Sequence, residues 1–150
     1  RYKGIKFYFI DYKKINFSKK YDFTRMIASH SFEHFRFFES DFLKLMKLLN
    51  KNAIISMALP CDPGLFWRFL QFFSFFNQKK YYGWKNMKQK DLSDAREHLT
   101  SCQNILKIIK FYFSNIKKIY FPFFIPLIEF NIFLIIQVNV SKFIKLNKSI

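Results

Sequence analysis

Residues 119–140, IYFPFFIPLIEFNIFLIIQVNV, form a long and nearly all apolar stretch, and its structure decides the fold class of the chain. Lysines flank the stretch, with Lys117 and Lys118 on one side and Lys142 and Lys145 on the other. Three interpretations are open: a transmembrane helix, a buried helix or strand pair in a soluble core, or a tail that selection has not shaped. Each leads to a different kind of protein.

A transmembrane helix is our first interpretation, because about 20 apolar residues are enough to span the hydrocarbon core of a bilayer. Glu129, Asn131 and Gln137 count against it, since each of these side chains is costly in lipid unless it is paired. Pro122 and Pro126 would also disturb the first half of such a helix.

The other two interpretations rest on composition. Residues 130–140 are rich in Ile and Val and have the length of a strand, which suits a buried strand pair. The tail over residues 119–150 also resembles translated A/T-rich sequence, since it holds one acidic residue and no Arg, Gly, Trp or Cys.

The chain is strongly basic, with 26 Lys and Arg against 10 Asp and Glu and a net charge of +16. Such a charge suits an anionic partner, either nucleic acid, the ribosome or an anionic membrane surface. A/T-rich codons encode Lys, Phe, Ile, Asn and Tyr, so an A/T-rich gene also produces an excess of these residues. We favour this compositional explanation of the basic charge. The partner we expect first is another protein.

The two cysteines, Cys61 and Cys102, are too few for a disulfide framework. They favour a reducing compartment, so we predict a cytoplasmic protein, with a membrane location as the alternative. The chain begins at Arg1 rather than Met, and we therefore expect a fragment or a processed product.

Composition divides the 150 residues into three segments, and a chain of this length holds one ordinary domain. Residues 1–20 are a basic aromatic N-terminal segment. Residues 21–118 are a helical domain or a fragment of one. Residues 119–150 are the hydrophobic tail, which includes the candidate membrane segment.

The middle segment predicts three helices, and the first covers residues 31–50. Ser31 can cap its first turn, because its hydroxyl can accept a hydrogen bond from an unpaired backbone N–H. Apolar residues then recur three or four positions apart, which places them on one helix face; they are Phe35, Phe38, Phe42, Leu45 and Leu49.

The second predicted helix begins at Pro63, with Asp62 as its cap. It is apolar almost all round, which is typical of a helix that lies centrally in a core or against a partner. The third begins near Asp91 or Ser93 and keeps a three/four spacing of apolar residues as far as Ile116. Together these patterns predict an all-α fold, with amphipathic helices in a helical hairpin or small bundle and a hydrophobic C-terminal tail.

Two pairs of residues have spacings that suit a metal site. His30 and His34 are four apart, and so are His98 and Cys102, with Cys61 in reserve; together they could supply a tetrahedral zinc site. Cys102, however, lies on the apolar face of the third helix, where a small core residue is expected. We therefore predict no metal site, and we assign no catalytic residue and no cofactor.

The segment KKYYGWKNMKQK, residues 79–90, is the best candidate for contact with nucleic acid. Its lysines could meet phosphates while Tyr81, Tyr82 and Trp84 stack on bases. A solvated loop between two helices explains the same residues more simply, and we favour that explanation.

Residues 65–109 resemble part of the auxiliary, non-catalytic scaffold subunit of the N-terminal acetyltransferase C complex. The helix LSDAREHLTSCQNILKII and the preceding LFWRFLQFFSFF carry the resemblance. Its main features are Ala95, Arg96, His98, Ser101, Cys102 and Leu106. The resemblance implies a large helical scaffold that holds a catalytic subunit near the ribosome, and it implies no acetyl-transfer residue in this chain.

The function we predict is non-enzymatic: a helical interaction or scaffold protein, or a fragment of one. The apolar side chains that we expect to contact a partner are Phe66, Phe69, Phe73, Leu99 and Leu106. The alternative is a small membrane-anchored protein that residues 119–140 hold in the bilayer.

Overall fold

The computed structural model describes residues 6, 8, 11, 14–17, 21–83 and 85–144, without the side chains of residues 77–82. Most of the predicted basic aromatic segment and the last six residues of the predicted tail lie outside this description. The described chain holds four strands and four helices, in the order β1 (Phe23–Ser29), α1 (Phe38–Met46), β2 (Leu49–Pro60), α2 (Leu65–Tyr82), α3 (Met87–Glu97), α4 (Cys102–Tyr112), β3 (Ile116–Phe121) and β4 (Phe133–Asn139).

The strands form one mixed sheet in the order β1-β2-β4-β3. β1 pairs with β2 in parallel, while β4 pairs antiparallel with both β2 and β3. The fold is therefore α/β, and the prediction of an all-α fold is wrong. The 3-10 turn Phe32–His34 and helix α1 form the crossover that a parallel strand pair requires.

In two strands of the sheet, buried side chains alternate with more exposed ones. In β2 the buried positions are Ala53, Ile55, Met57 and Leu59, and the residues between them are partly exposed. A period of two places one set of side chains on one face of a sheet, whereas a helix has a period of 3.6. In β4 the buried residues are Leu134, Ile136 and Val138.

One hydrophobic core lies between this sheet face and helices α1 and α4. Phe42 of α1 and Ile105 and Ile109 of α4 are fully buried in the same cluster as the alternating residues of β2 and β4. Burial of such a side chain contributes about 1.5–3 kcal/mol. The opposite sheet face is partly covered, and it carries polar residues such as Ser56 and Gln137.

The apolar stretch 119–140 holds the second half of β3, a connection and all of β4, so it forms a strand pair within the sheet. The transmembrane prediction is wrong, since these residues are not helical and no helix among the described residues has the length and apolarity to cross a bilayer. The strand-pair interpretation matches the structure. β3 also crosses residue 118, where we divided the domain from the tail.

Helix α1 is shorter than the first predicted helix, which covered residues 31–50. Helix α1 buries Phe38, Phe42 and Leu45, which the three/four spacing placed on one face. Ser31 caps no helix; its hydroxyl donates to the carbonyl oxygen of Ser29. Leu49 begins β2, and within this strand the buried side chains follow the period of a strand rather than that of a helix.

The second predicted helix corresponds to α2, which begins at Leu65 after Gly64 rather than at Pro63. The third is two helices, because the chain breaks at residues 98–101. Asn86 caps α3 by accepting from the N–H of Gln89, and Ser101 caps α4 by accepting from the N–H of Asn104.

Candidate functional site

A cluster of polar side chains lies at one edge of the sheet, where the parallel strands β1 and β2 both end. Ser29 at the end of β1 pairs with Ala58 near the end of β2. The chain leaving β1 enters the 3-10 turn that carries Glu33 and His34, and the chain leaving β2 carries Asp62. The carboxyl ends of neighbouring parallel strands are where α/β proteins usually bind ligands.

The break between α3 and α4 closes over this turn, and three hydrogen bonds join the two segments. The N–H of Thr100 donates to the carbonyl oxygen of Glu33 at 3.0 Å. The hydroxyl of Thr100 donates to the carbonyl oxygen of Phe35 at 2.7 Å, and His34 Nδ1 donates to that of Glu97 at 2.9 Å. These bonds explain why the helix ends at Glu97, although its apolar spacing continues.

Glu33 is buried in the cluster, with 3% of its side chain exposed. Neither carboxylate oxygen accepts a hydrogen bond from the described residues. The nearest nitrogens to Oε1 are His30 Nδ1 at 3.5 Å and His34 Nε2 at 3.9 Å. A buried carboxylate is costly unless it is paired or bound, so the position of Glu33 needs a partner of positive charge.

His34 and His98 lie side by side, with ring centroids 5.3 Å apart. His98 Nδ1 donates to Asp62 Oδ2 at 2.9 Å, and His34 Nδ1 donates to the backbone of Glu97 as above. Each ring is therefore held through Nδ1, which leaves the lone pair of each ring on Nε2.

The pKa of His98 is raised from its usual range, first because of the hydrogen bond to Asp62. Burial acts in the opposite direction, and the charges of Asp62, Glu33 and Asp94 add to the increase. The three carboxylates near His98 therefore all act in the direction that favours a positive charge there.

The structure brings together part of the histidine and cysteine set that the sequence singled out. Glu33, His34 and His98 each offer one ligand atom, and these atoms lie within 4.8 Å of one another. Cys102 and His30 do not belong to this trio. Glu33 was not a predicted ligand, although the sequence HSFEH placed a carboxylate directly beside His34.

The two cysteines lie next to this cluster and contact each other. Both are buried, as the position of Cys102 on an apolar face predicted. The pKa of the Cys102 thiol is strongly raised, first by its hydrogen bond to Cys61 and then by burial. A protonated thiol is a poor nucleophile, so Cys102 does not resemble the activated cysteine of an enzyme.

Two cavities meet at His98 and Asp62. One of about 200 Å³ is also lined by Glu33, Thr100 and Cys102. The other, of about 590 Å³, lies between α2 and α3, where Trp67, Arg68 and Asp94 are among its lining residues. The His98–Asp62 pair therefore borders both cavities.

A second feature, which we call the aromatic face, is a surface of exposed apolar side chains on α2 and on the connection between β3 and β4. On α2 it comprises Leu65, Phe69, Phe72, Phe73 and Phe76, each 48–64% exposed. At the end of β3 and on the connection it comprises Phe121, Phe123, Phe124, Ile125, Leu127 and Phe130, each 43–69% exposed. Phe66 joins the two parts, since its ring centroid lies 4.9 Å from that of Phe123.

The predicted interaction residues have different environments. Phe69 and Phe73 belong to the aromatic face, and the partly buried Phe66 contacts Phe123 of that face. Leu99 is 49% exposed on the α3–α4 break, away from α2 in sequence. Leu106 is 8% exposed and packs in the core, so its side chain contributes to the fold.

The segment proposed for nucleic acid, residues 79–90, is not a long loop. Helix α2 continues to Tyr82, Gly83 ends it in the left-handed conformation, and α3 begins at Met87. Trp84 and the side chains of Tyr81 and Tyr82 lie outside the described residues, so their stacking stays a prediction.

No protein-family model matches the chain, and no curated protein is significantly similar to it.

Proposed function

We propose that this chain is a non-enzymatic interaction module whose protein partner covers the aromatic face. The observation that carries the proposal is the row of exposed side chains along α2, with Phe69, Phe72, Phe73 and Phe76 each about half exposed or more. Single exposed apolar residues are common, but a contiguous surface of this size is typical of a binding site.

The energetics of this surface favour a partner. Burial of one large apolar side chain contributes about 1.5–3 kcal/mol relative to exposure. Rings on neighbouring turns already contact one another, as Phe69 and Phe73 do at 4.8 Å between centroids. They form a largely pre-assembled surface, so fewer side chains must be ordered when a partner binds.

The charge of the chain favours an acidic partner. The net charge is +16, and Arg68 is exposed on α2 beside the aromatic face. Lys117 and Lys118 are exposed on β3, which leads into the same surface. We therefore expect a partner that presents an apolar surface bordered by Asp and Glu, because such borders increase association rates and exclude wrong partners.

The resemblance over residues 65–109 supplies one candidate partner: the catalytic subunit of an N-terminal acetyltransferase C complex. That range includes α2 and therefore half of the aromatic face. The resemblance implied a wholly helical scaffold. In this chain residues 65–109 are mostly helical, but two strands, β3 and β4, follow them. The candidate partner rests on the resemblance alone.

The first test changes the aromatic face without touching the core. In one variant Phe69→Asp and Phe73→Asp are combined, and in the matched control Phe111→Asp changes an exposed phenylalanine on α4. Sedimentation velocity and the fluorescence of a hydrophobic dye are measured for each. We expect the wild-type chain and the control to self-associate and bind dye, whereas the double variant is monomeric and binds little.

The second test asks about the partner directly. The chain is co-expressed with the catalytic subunit of an N-terminal acetyltransferase C complex, and co-elution is measured by size-exclusion chromatography. The proposal predicts a complex with the wild type and the Phe111→Asp control but not with the double variant. A wild-type chain that stays monomeric, binds no dye and forms no complex would contradict it.

A further inference from the structure

We propose that Glu33, His34 and His98 bind one divalent transition-metal ion of the zinc class. The three ligand atoms lie within 4.8 Å of one another, and Glu33 Oε1 is 3.9 Å from His34 Nε2. In a tetrahedral zinc site with bonds of about 2.1 Å, neighbouring ligand atoms are roughly 3.4 Å apart. The longest separation in the trio therefore has to shorten by at most about 1.4 Å around the ion.

The orientation of the two histidines supports the site independently. In metal centres, a ligating histidine usually donates its other ring N–H to a carboxylate or a backbone carbonyl, which fixes the tautomer. Here His98 Nδ1 donates to the Asp62 carboxylate, and His34 Nδ1 donates to the backbone carbonyl of Glu97. Both rings are thereby held with the lone pair of Nε2 available to the metal.

The burial of Glu33 is a third observation. Its side chain is 3% exposed, and among the described residues neither oxygen accepts a hydrogen bond. Removal of a carboxylate from water is unfavourable unless a cation replaces the lost hydration. A divalent ion between Glu33 and the two Nε2 atoms supplies that charge.

The donor set selects the class of metal. Two imidazole nitrogens and one carboxylate suit zinc and the neighbouring transition metals, whereas calcium and magnesium prefer oxygen ligands. Three protein ligands leave at least one coordination position open. Because Glu33 and His98 both line the 200 Å³ cavity, that position can hold water or a small anion.

The alternative is a site without metal, in which a neighbouring histidine is the partner of Glu33. His30 is the competing partner, since its Nδ1 lies 3.5 Å from Glu33 Oε1. The two explanations make opposite predictions for Glu33→Gln. If the metal is the partner, this variant loses metal binding, and its metal-free form is at least as stable as the wild type. If His30 is the partner, the variant is less stable and metal has no effect on either form.

The test uses the full chain, stripped with a chelator and then titrated with Co²⁺ and Zn²⁺. Visible absorption of Co²⁺ reports the geometry, and competition with a chromophoric chelator gives the Zn²⁺ affinity. The variants are Glu33→Gln, His34→Ala and His98→Ala. The matched control is His30→Asn, because asparagine tolerates the left-handed conformation of His30, whose φ is 48°.

We expect one ion per chain, a low-symmetry Co²⁺ spectrum without thiolate charge-transfer absorption, and a melting temperature that rises with Zn²⁺. Each ligand variant should lose more than about 100-fold in affinity, while His30→Asn stays close to the wild type. Asp62→Asn should lose about 10–100-fold, as outer partners of ligating histidines do.

Two results would overturn the proposal. One is the absence of stoichiometric binding to a wild-type chain whose circular dichroism and melting show that it is folded. The other is binding that persists in Glu33→Gln and His34→Ala but disappears when Cys61 and Cys102 are changed to alanine. That second result would place the ion on the thiol pair instead.

Discussion

Gly64 stands where the end of β2, the turn before α2 and the connection between β3 and β4 approach one another. A Cβ atom at this position would lie 2.6 Å from the carbonyl oxygen of Cys61 and 2.7 Å from that of Ile128. Both neighbours are backbone atoms, which cannot move aside as a flexible side chain can. The backbone angles of Gly64 are ordinary, with φ at −58°, so space alone requires glycine here.

We predict that Gly64→Ala destabilises the chain by about 3 kcal/mol, the upper end of the cost of overpacking. Gly83→Ala is the matched control, since Gly83 has a φ of 67° but no atom within 4 Å of its added Cβ. The control should lose only about 1–2 kcal/mol, the cost of the left-handed conformation. Urea unfolding measures both values, and equal losses would show that the close approach at Gly64 is absent.

At the scale of elements, the connection between β3 and β4 depends on one buried side chain. Asn131 is fully buried, and its amide makes three hydrogen bonds within the connection. Nδ2 donates at 2.7 Å to each of the carbonyl oxygens of Ile125 and Leu127, and Oδ1 accepts from the N–H of Phe123 at 3.2 Å. The connection presents half of the aromatic face, so Asn131 fixes that surface as well as the fold.

We predict that Asn131→Ala costs about 3 kcal/mol, because it leaves buried backbone groups without partners. Asn115→Ala, which changes an exposed asparagine before β3, should lie within about 0.5 kcal/mol of the wild type. Thermal and urea unfolding measure both. If Asn131→Ala is also less able to bind the partner at a temperature where it stays folded, the connection is part of the interface.

At the scale of the whole molecule, the sheet joins distant parts of the chain. β4 lies between β2 and β3, and Leu134, Ile136 and Val138 complete the core that α1, α4 and β2 build. Loss of these three side chains removes about 1.5–3 kcal/mol each. Three such losses approach the total stability of an ordinary domain, about 5–15 kcal/mol.

We therefore predict that a chain ending at residue 115 does not fold cooperatively, whereas a chain ending at residue 144 does. The longer form keeps every described strand and helix, while the shorter form leaves β2 without its antiparallel neighbour. Far-UV circular dichroism and urea titration compare the two. A cooperative transition in the shorter chain would show that the C-terminal strands are dispensable.

The sequence by itself determined the positions of several apolar faces. The spacing of Phe38, Phe42 and Leu45 located the buried side of α1, and the position of Cys102 indicated a core residue. These inferences succeeded because a local period of apolar residues depends only on the geometry of one element. In β2 the burial alternates, but apolar Ile54 and Ala58 stand between buried residues, so the sequence shows no clear alternation, and we extended the preceding helix too far.

The tertiary structure alone decided the fold class and the candidate metal site. Apolar residues at 119–140 are compatible with a membrane, a helix or a strand, and only the pairing of β4 with β2 and β3 makes them strands. Glu33, His34 and His98 are separated by up to 65 positions, and the hydrogen bonds of Thr100 bring them together. Contacts between residues so far apart depend on how whole elements pack, and the local period of a sequence does not contain that information.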